Sequence, residues 1–408
     1  MSEIKQTLAA VQAEAKRCLY CVDAPCQQGC PAGVDVAQFI RHLRYADVKS
    51  AKRVIKTANP LGGICGTLCP SENLCQKNCT MNYCDAPIHI RDLQKFACAN
   101  AAFRPELAPA NGKKVAVVGA GPAGLGCAAI LARLGYEVDV FEKGSAAAGV
   151  VAKEIPAERI DAAVVENDLA ELAADTIRFH YNAPVDAARL EELSRTYGAV
   201  FVGAGLAQDR ISGVDIAEGA PVVGCSQYLA DLKSGATPSV SGTVLVVGGG
   251  DSAIDAVCAS LTAGAEKAVL AYRRSRAEMP ACDEEFFSAA DKGVELMYMV
   301  SPVAIAKTAE GAAVTFVRNR LVEKPGEARK GFEAVPGSEF TLNVSRVVFA
   351  IGKKADTTLV AGKVDPDTLR VEGTNCFAGG DWLSGGATVV KAVAEGKKAA
   401  QAIDAMLK

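Results

Sequence analysis

Hydrophobic and polar residues change their spacing twice along the 408-residue chain. Up to about residue 110 the apolar positions recur every three or four residues in short segments, most clearly over 34–57, which predicts helices. From Lys113 the chain reads as a short apolar strand, a glycine turn, an apolar helix and a second strand, and the same order returns near Thr243. Alternating segments at 314–317 and 340–343 predict antiparallel strands.

This order of elements predicts an α/β protein in which an N-terminal α-helical domain is followed by two Rossmann-like nucleotide-binding domains. The pattern places the helical domain at 1–110 and the first part of one nucleotide-binding domain at 111–220. The other nucleotide-binding domain occupies 221–343, and 344–408 returns to complete the first.

Charge and hydropathy exclude several classes of function. The formal net charge of -3 gives no basic footprint for nucleic acid or for an anionic membrane surface. The N-terminal residues include Lys5 and Glu14 and lack an apolar signal core, so we expect a cytoplasmic protein. The uncharged run 115–132 is interrupted by glycines, which favours a buried strand and helix over a membrane span.

The first glycine turn has the spacing of a dinucleotide site. It follows a strand, opens a helix, and is followed about twenty residues later by Glu142, where a carboxylate accepts from ribose hydroxyls. An incidental glycine turn is the alternative, and the strand, helix and acid together favour the dinucleotide site. The residues predicted to bind are Gly119, Gly121, Pro122, Ala123, Gly124, Glu142 and Lys143.

The second glycine turn differs from the first in its flanking charge. Basic residues follow its second strand where NAD sites usually have an acid, and guanidinium groups suit a ribose 2′-phosphate. This favours NADPH over NADH, although a solvated basic loop would look the same. The predicted residues are Gly248, Gly250, Asp251, Ser252, Ala253, Arg273, Arg274 and Arg276.

A third glycine segment lies near the C-terminus. Gly380 and Asp381 follow a strand-like segment, and Thr388 opens a predicted helix that continues through Ala402. Asp381 is placed to hydrogen-bond a cofactor, with the helix N-terminus directed at a flavin ring, and a surface turn is the alternative.

The cysteines set the N-terminal domain apart. Ten of the 15 fall in the first hundred residues, and eight of these form two runs. Disulfides, structural zinc and iron-sulfur clusters all use such runs, but reduced cytosolic thiols and two dinucleotide sites favour iron-sulfur. We interpret the five scattered cysteines as small core residues. The runs are Cys18, Cys21, Cys26, Cys30 and Cys65, Cys69, Cys75, Cys79.

With these motifs in view, the chain resembles the flavin and iron-sulfur half of dihydropyrimidine dehydrogenase over essentially its whole length, and it is similar to the small subunit of glutamate synthase. The shared motifs are CLYCVDAPCQQGCP, CGTLCPSENLCQKNC, VAVVGAGPAGL, YRRSRAEMP and AGGD. The segment Pro87-Ile-His-Ile-Arg-Asp-Leu-Gln94 is similar to one in the dihydropyrimidine branch. The family's usual glycine pair after the ribose-binding acid is replaced here by Ala148-Gly149.

The resemblance implies two 4Fe-4S clusters, FAD and NADPH or NADH as cofactors. It implies that one cysteine is not a ligand and that a glutamine is. The implied ligands are Cys18, Cys21, Cys26 and Cys79 for one cluster, and Cys30, Cys69, Cys75 and Gln94 for the other, which leaves Cys65 free.

The resemblance also implies a function. The chain would pass electrons from NAD(P)H through FAD and the clusters to a partner subunit that carries FMN and iron-sulfur clusters, most simply a dihydropyrimidine dehydrogenase catalytic subunit. No residue is predicted to act as a catalytic acid or base. The alternatives are a glutamate synthase small subunit, a flavin disulfide reductase, for which no Cys-x-x-Cys exists beyond Cys21, and a non-catalytic iron-sulfur redox sensor or scaffold.

Overall fold

Short helices surround the two cysteine runs in the N-terminal part of the computed structural model. The structure describes residues 5–172, 176–237, 239–323, 326 and 329–408. Asp35 and Asp47 each cap a helix, since each carboxylate accepts a hydrogen bond from the backbone N–H three residues on. The helices are α1 (Leu8–Lys16), α2 (Pro25–Gln28), α3 (Val36–Arg44), α4 (Val48–Ala58), α5 (Gly62–Leu68) and α6 (Ile90–Ala99). The helical spacing predicted over 34–57 is confirmed as α3 and α4.

A five-stranded parallel sheet follows, in the order β17-β4-β1-β2-β3. The predicted strand, glycine turn, helix and second strand are confirmed as its first elements. The strand Cys376–Ala378, from near the C-terminus, pairs with Ala199–Val202 in this sheet. The segments 111–220 and 344–408 therefore contribute strands to the same sheet. The elements are β1 (Lys114–Val118), α7 (Pro122–Arg133), β2 (Glu137–Phe141), α8 (Val150–Lys153), α9 (Ala162–Ala170), β3 (Ile177–His180), α10 (Ala187–Thr196), β4 (Ala199–Val202), β17 (Cys376–Ala378), α14 (Asp381–Ser384) and α15 (Val389–Leu407).

The chain divides into two compact units. The first contains the helices around the cysteines and the β1 sheet, over 1–152, 157–207 and 355–408, and the second contains 153–156 and 208–354. In the second unit a parallel sheet has the order β10-β9-β8-β15-β7, and a further sheet pairs β12 with β11, β13 and β14 in antiparallel fashion. Its elements are β5 (Gln208–Asp209), β6 (Asp215–Ile216), β7 (Val222–Gly224), α11 (Cys225–Ser234), β8 (Thr243–Gly248), α12 (Asp251–Thr262), β9 (Lys267–Tyr272), α13 (Asp283–Asp291), β10 (Glu295–Tyr298), β11 (Val300–Lys307), β12 (Ala312–Val322), β13 (Gly331–Ala334), β14 (Phe340–Val344), β15 (Arg346–Ala350) and β16 (Lys353–Lys354).

Helix α15 crosses α7 at unusually close range within the first unit. A Cβ atom added to Gly396 would lie 2.0 Å from the carbonyl oxygen of Ala123, and one added to Gly126 would lie 2.9 Å from that of Val393. Only glycine permits this approach. At its N-terminal end α15 also buries Val390 in the core of the cysteine-rich helices. No helix in the described ranges is both long and apolar enough to cross a membrane.

A buried group of four charges connects α4 to α9. Lys56 is fully buried and its Nζ donates to Asp168 Oδ1 at 2.7 Å and to the carbonyl oxygen of Pro60 at 2.6 Å. Lys52 pairs with Glu171 at 2.5 Å and donates to the carbonyl oxygen of Cys98. Asp168 also accepts from the backbone N–H groups of Gly63 and Ile64, so it caps α5 from another helix.

We expect Asp168→Ala to lower the free energy of unfolding by about 3 kcal/mol, because it removes one of the two carboxylates that pair with the buried Lys56 and leaves the N–H groups of Gly63 and Ile64 without this acceptor. Anaerobic urea unfolding measures this. Asp161→Ala is the matched control, since the Asp161 side chain is an exposed cap of α9 that accepts from Ala163 N–H. Its expected cost is about 1 kcal/mol. Equal costs for the two variants would contradict a special role for the buried charges.

Candidate cofactor sites

The glycines of the first turn have three different surroundings. A Cβ on Gly119, whose φ is +95°, would lie 2.5 Å from the carbonyl oxygen of Gly203, and a Cβ on Gly124 would lie 1.8 Å from that of Gly119. A Cβ on Gly121 would meet no atom within 4 Å. Gly119 and Gly124 are therefore required by the fold, whereas Gly121 leaves open space in front of α7, which begins at Pro122. A phosphate fits such a space.

Glu142 is buried directly beneath this turn. Its Oε2 accepts from Ala120 N–H at 2.9 Å and its Oε1 from Gly144 N–H at 2.7 Å. The carboxylate thus orders the turn itself, and a carboxylate oxygen can accept more than one hydrogen bond. Lys143, next in sequence, is exposed.

The C-terminal glycine segment lies against the same turn. A Cβ on Gly380, whose φ is +68°, would lie 2.6 Å from the Cβ of Ala123, and Gly380 N–H donates to Glu395 at 2.6 Å. Asp381 accepts from Ala387 N–H at 3.2 Å, and Thr388 caps α15. The structure therefore brings Gly380, Asp381 and Thr388 to the mouth of the first glycine turn, although they are more than 250 residues away in sequence.

Ala148 is a neighbour of this site that the motif alone does not identify. It is fully buried with a φ of +74°, a region that costs a non-glycine residue roughly 1 to 2 kcal/mol. Its N–H donates to the carbonyl oxygen of Ala120 at 2.8 Å, and a Cβ on Gly149 would lie 3.0 Å from the Cα of Gly121. The chain thus has a strained backbone at Ala148, where the family usually has a glycine pair. The loop that contains Ala148 and Gly149 still lies against the first glycine turn.

The second glycine turn, in the other unit, follows the same plan. A Cβ on Gly248 would lie 2.4 Å from the carbonyl oxygen of Ala350, whereas one on Gly250 would meet only Pro280 at 3.9 Å. Ala253 is buried in the third glycine position and Ser252 is exposed on the first turn of α12. Asp251 accepts from the N–H of Cys282 at 2.8 Å, so the predicted Asp251 has a structural partner that the motif does not show.

The three predicted arginines are not equivalent. Arg273 and Arg274 both lie over the ring of Phe332, at 4.9 and 5.4 Å. Burial lowers the pKa of Arg273, and repulsion from Arg274 and Arg329 lowers it further. Arg276 instead pairs with Asp283 and covers Phe286. Arg273 and Arg274 repel each other, and a bound anion would reduce this repulsion. Arg276, in contrast, already has a carboxylate partner.

Four thiols of the N-terminal domain form a first group. Burial raises the pKa of Cys18, with smaller contributions from the Cys79 and Cys21 thiols, and raises the pKa of Cys26 to about 12, with contributions from Cys79 and Cys18. Cys21 Sγ also lies 3.2 Å from Thr80 Oγ1, next to Cys79. The fold therefore brings Cys79, from the second run, to three cysteines of the first.

The remaining thiols form a second group around Cys69. A hydrogen bond with the Cys65 thiol raises the pKa of Cys69, and burial and the Cys65, Cys75 and Cys30 thiols raise it further. Cys65 is 2 % exposed. Gln94 adjoins this group through α5, because its Nε2 donates to the carbonyl oxygen of Gly62 at 2.7 Å. That bond fixes the amide and leaves Oε1 as its remaining acceptor.

The donor sets of both groups fit iron-sulfur clusters. Burial raises the pKa of Cys75 to about 12, so ionised thiols are unfavourable here unless a metal stabilises them. Within the described residues, no three Cys, His, Asp or Glu side chains form a site for a single metal ion. All fifteen cysteines are free thiols, so this fold contains none of the disulfides that the first alternative requires.

The five scattered cysteines divide into two kinds. Cys127, Cys225 and Cys376 are buried, as their interpretation as core residues requires. Cys258 and Cys282 are only partly buried, so the prediction that they are buried core residues was wrong for these two. The N–H and the Sγ of Cys282 both hydrogen-bond to Asp251.

Comparisons with known proteins identify two families that the chain matches. Residues 1–104 match the family described as dihydropyrimidine dehydrogenase domain II, 4Fe-4S cluster, and residues 113–396 match pyridine nucleotide-disulphide oxidoreductase. The chain is 33% identical to the NAD-dependent dihydropyrimidine dehydrogenase subunit PreT of Escherichia coli, covering 96% of this chain and 92% of that protein. It is 30% identical to the glutamate synthase [NADPH] small chain of the same organism, covering 96% and 90%.

One further relative and one solved structure also match the chain. The chain is 34% identical to the NADP(+)-dependent formate dehydrogenase subunit beta of Moorella thermoacetica, of which it spans only 60%. FprA of Mycobacterium tuberculosis in complex with NADPH has the same fold over 74% of this chain and 85% of its own, with a TM-score of 0.63 and 17% identity.

The fold and the matched families thus define a flavin and iron-sulfur NAD(P)H oxidoreductase, in which the iron-sulfur family matches residues 1–104 and the pyridine nucleotide oxidoreductase family matches residues 113–396. The zinc alternative is not supported by the matched families. The chain belongs to the pyridine nucleotide-disulphide oxidoreductase family, in the branch that joins a dihydropyrimidine dehydrogenase domain II and that includes PreT and the glutamate synthase small chain.

Gly121→Val and Gly250→Val make a matched pair of tests, since a Cβ at Gly121 meets no atom within 4 Å and one at Gly250 meets only Pro280 at 3.9 Å, an ordinary van der Waals contact. We expect Gly121→Val to be purified without flavin and Gly250→Val to keep flavin that NAD(P)H no longer reduces. Absorbance at the flavin band and its bleaching by nucleotide measure both. Flavin retained at full occupancy in Gly121→Val would contradict the first assignment.

Proposed function

We propose that this chain is the electron-input subunit of a larger oxidoreductase. It takes electrons from NAD(P)H through FAD and passes them through two 4Fe-4S clusters to a partner subunit that carries FMN and iron-sulfur clusters, with a dihydropyrimidine dehydrogenase catalytic subunit as the partner. The observation that supports the proposal is that the helices around both thiol groups pack on two helices of the proposed FAD-binding domain, on α15 through Val390 and on α9 through Asp168.

The proposed ligands follow the two thiol groups. Cys18, Cys21, Cys26 and Cys79 hold the first cluster, and Cys30, Cys69, Cys75 and Gln94 hold the second. The bond from Gln94 Nε2 to Gly62 supports Gln94, because it sets the amide with Oε1 as the end left for iron. Cys65 is the alternative fourth ligand, supported by its hydrogen bond to Cys69.

The cofactors supply the chemistry: flavin accepts a hydride and gives up its electrons one at a time, and each cluster carries a single electron. The protein supplies position and charge. Gly121 and the N-terminus of α7 bind the FAD pyrophosphate, Glu142 accepts from its ribose, and the segment from Gly380 to Thr388 closes over the same turn. No side chain is required to transfer a proton.

Arg273 and Arg274 are the proposed 2′-phosphate ligands, which favours NADPH. Their like charges meet at Phe332, and an added phosphate would form charge-assisted bonds to both. Arg276 contributes less, because Asp283 already occupies its guanidinium. The relatives differ on this point: PreT is described as NAD-dependent and the glutamate synthase chain as NADPH-dependent.

The partner distinguishes the leading proposal from its main rival. The similarity to the glutamate synthase small chain makes a glutamate synthase large subunit the second candidate. The two are separated by copurification of the tagged chain from its own cell extract, followed by assay of the complex with a pyrimidine and, separately, with glutamine and 2-oxoglutarate. Pyrimidine reduction supports the first and glutamate formation the second.

Anaerobic titration of the purified chain tests electron entry. We expect NADPH to bleach the flavin and then the iron-sulfur absorbance, with about eight irons and eight sulfides per chain, because two four-iron clusters need that many. NADH titrated separately shows which nucleotide is preferred.

Two results would contradict the proposal. Zinc in place of iron would make the N-terminal domain structural. Flavin that neither nucleotide reduces would make the chain a sensor or scaffold.

Replacing Gln94 and Cys65 in turn identifies the fourth ligand of the second cluster. We expect Cys65→Ser to keep about eight irons and both electron paramagnetic resonance (EPR) signals, and Gln94→Ala to change or lose one signal, because only the iron ligand changes the cluster's first coordination shell. Iron analysis and EPR of the dithionite-reduced proteins measure this. The reverse pattern would make Cys65 the ligand.

A further inference from the structure

Helix α15 touches both cofactor regions of the first unit. Its N-terminal cap, Thr388, follows the segment that lies on the first glycine turn, and Val390 lies in the core of the cysteine-rich helices. The first turn of the same helix therefore contacts both regions, and Lys397 lies further along this helix.

Lys397 carries a positive charge on this helix. Its Nζ donates to the carbonyl oxygens of Ala32 at 3.0 Å and Ala58 at 3.2 Å, both in the cysteine-rich domain. The side chain is half-buried. Within the described part of the chain, no carboxylate lies within ion-pair distance of this ammonium group, so its charge is held by backbone dipoles alone.

Ala32 lies two residues after Cys30, in a turn in which Gly33 N–H donates to the carbonyl oxygen of Cys30 at 2.9 Å. Burial raises the pKa of Cys30, and the backbone N–H groups of Val34, Ala32 and Gly33 lower it. Burial lowers the pKa of Lys397, and the Cys30 thiol raises it. Lys397 thus holds the carbonyl of a residue in the turn that follows the Cys30 thiol.

The neighbouring charged side chains make other contacts. Lys397 lines a cavity of about 400 Å³ that Lys391, Lys398 and Glu395 also border. Glu395 accepts from the N–H of Gly380 at 2.6 Å, and Lys398 donates to the carbonyl oxygen of Pro366 at 2.8 Å. Of Lys397 and Lys398, it is therefore Lys397 that contacts the turn after Cys30.

We propose that Lys397 raises the reduction potential of the second cluster by holding a positive charge beside the turn of its Cys30 ligand, a role that rests on the ligand set proposed above. Reduction adds one electron to a cluster whose sulfur ligands are already negative, and a nearby cation stabilises the added charge. Partial burial limits screening by salt. The effect favours transfer of one electron from reduced flavin to this cluster.

Redox titration of the holoprotein, followed by EPR, tests the role of the charge. Lys397→Gln keeps amide donors for Ala32 and Ala58 but removes the charge, and Lys397→Met removes both. We expect either variant to shift the reduction equilibrium of one cluster about tenfold toward the oxidised form, a fall of about 59 mV for one electron. The cluster ligated through Cys18 is the internal control, and its potential should not move.

Lys398→Met and Lys397→Arg are the matched controls. Lys398→Met removes the same charge one residue away, and Lys397→Arg keeps the charge, so neither should shift the potential. A shift in Lys397→Met but not in Lys397→Gln would overturn the proposal, because the hydrogen bonds rather than the charge would then matter. Unchanged potentials in both would overturn it as well.

The iron content of the same samples separates this result from failure of the proposed function. About eight irons in the unmodified protein and in each variant mean that the potentials compare like with like. Four irons or none in the unmodified protein would contradict the two-cluster proposal, and the role of Lys397 would fall with it.

Discussion

The ion pair between Lys56 and Asp168 is the interaction on which the arrangement of the first unit depends. Two charges buried together are stable only when each is fully hydrogen-bonded, and here the partners come from different parts of the chain: Pro60 for the lysine, and the N–H groups of Gly63 and Ile64 for the aspartate. The pair therefore fixes α5 against α9. Since α5 leads into Cys69, the position of a thiol group is set by Asp168 on α9, a residue more than 90 positions later in the chain.

Glycine performs the corresponding task on the other side of the same unit. The crossing of α7 and α15 requires Gly126 and Gly396, and the turn itself requires Gly119 and Gly124. Any residue larger than glycine at Gly126 or Gly396 would bring a Cβ within 3 Å of a backbone carbonyl oxygen of the other helix, so it would force the two helices apart. The first unit thus combines a polar contact that fixes one helix with steric contacts that fix two others.

Local patterns in the sequence predicted most elements of the fold. The strands before both glycine turns, the helices after them and the antiparallel pair β12 and β14 arise from periodicity and turn chemistry, which are local. The approach of Gly380 to Ala123 and of Cys79 to Cys18 could be expected only from motif order or resemblance, because tertiary packing creates them. Asp168 carried no signal at all, as an isolated acid in a helix is ordinarily a surface residue.

Details of the sites were likewise decided by neighbours that the motifs do not include. Arg276 resembled Arg273 and Arg274 in sequence, and only the proximity of Asp283 distinguishes it. Cys282 resembles a core cysteine in sequence, and only its bond to Asp251 distinguishes it. The choice between Gln94 and Cys65 depends on one amide orientation, which spacing does not encode. Chemistry-bearing residues are recognisable from sequence, but their partners are set by the fold.

The raised pKa values of the buried thiols bear on how the protein is made. Before any cluster is inserted, groups such as Cys26 and Cys75 hold their protons at neutral pH, because burial disfavours the thiolate. Protonated thiols are poor nucleophiles and react slowly with oxidants. A metal that bound these thiols would therefore have to displace their protons, so that its binding would release protons and become stronger as the pH rises.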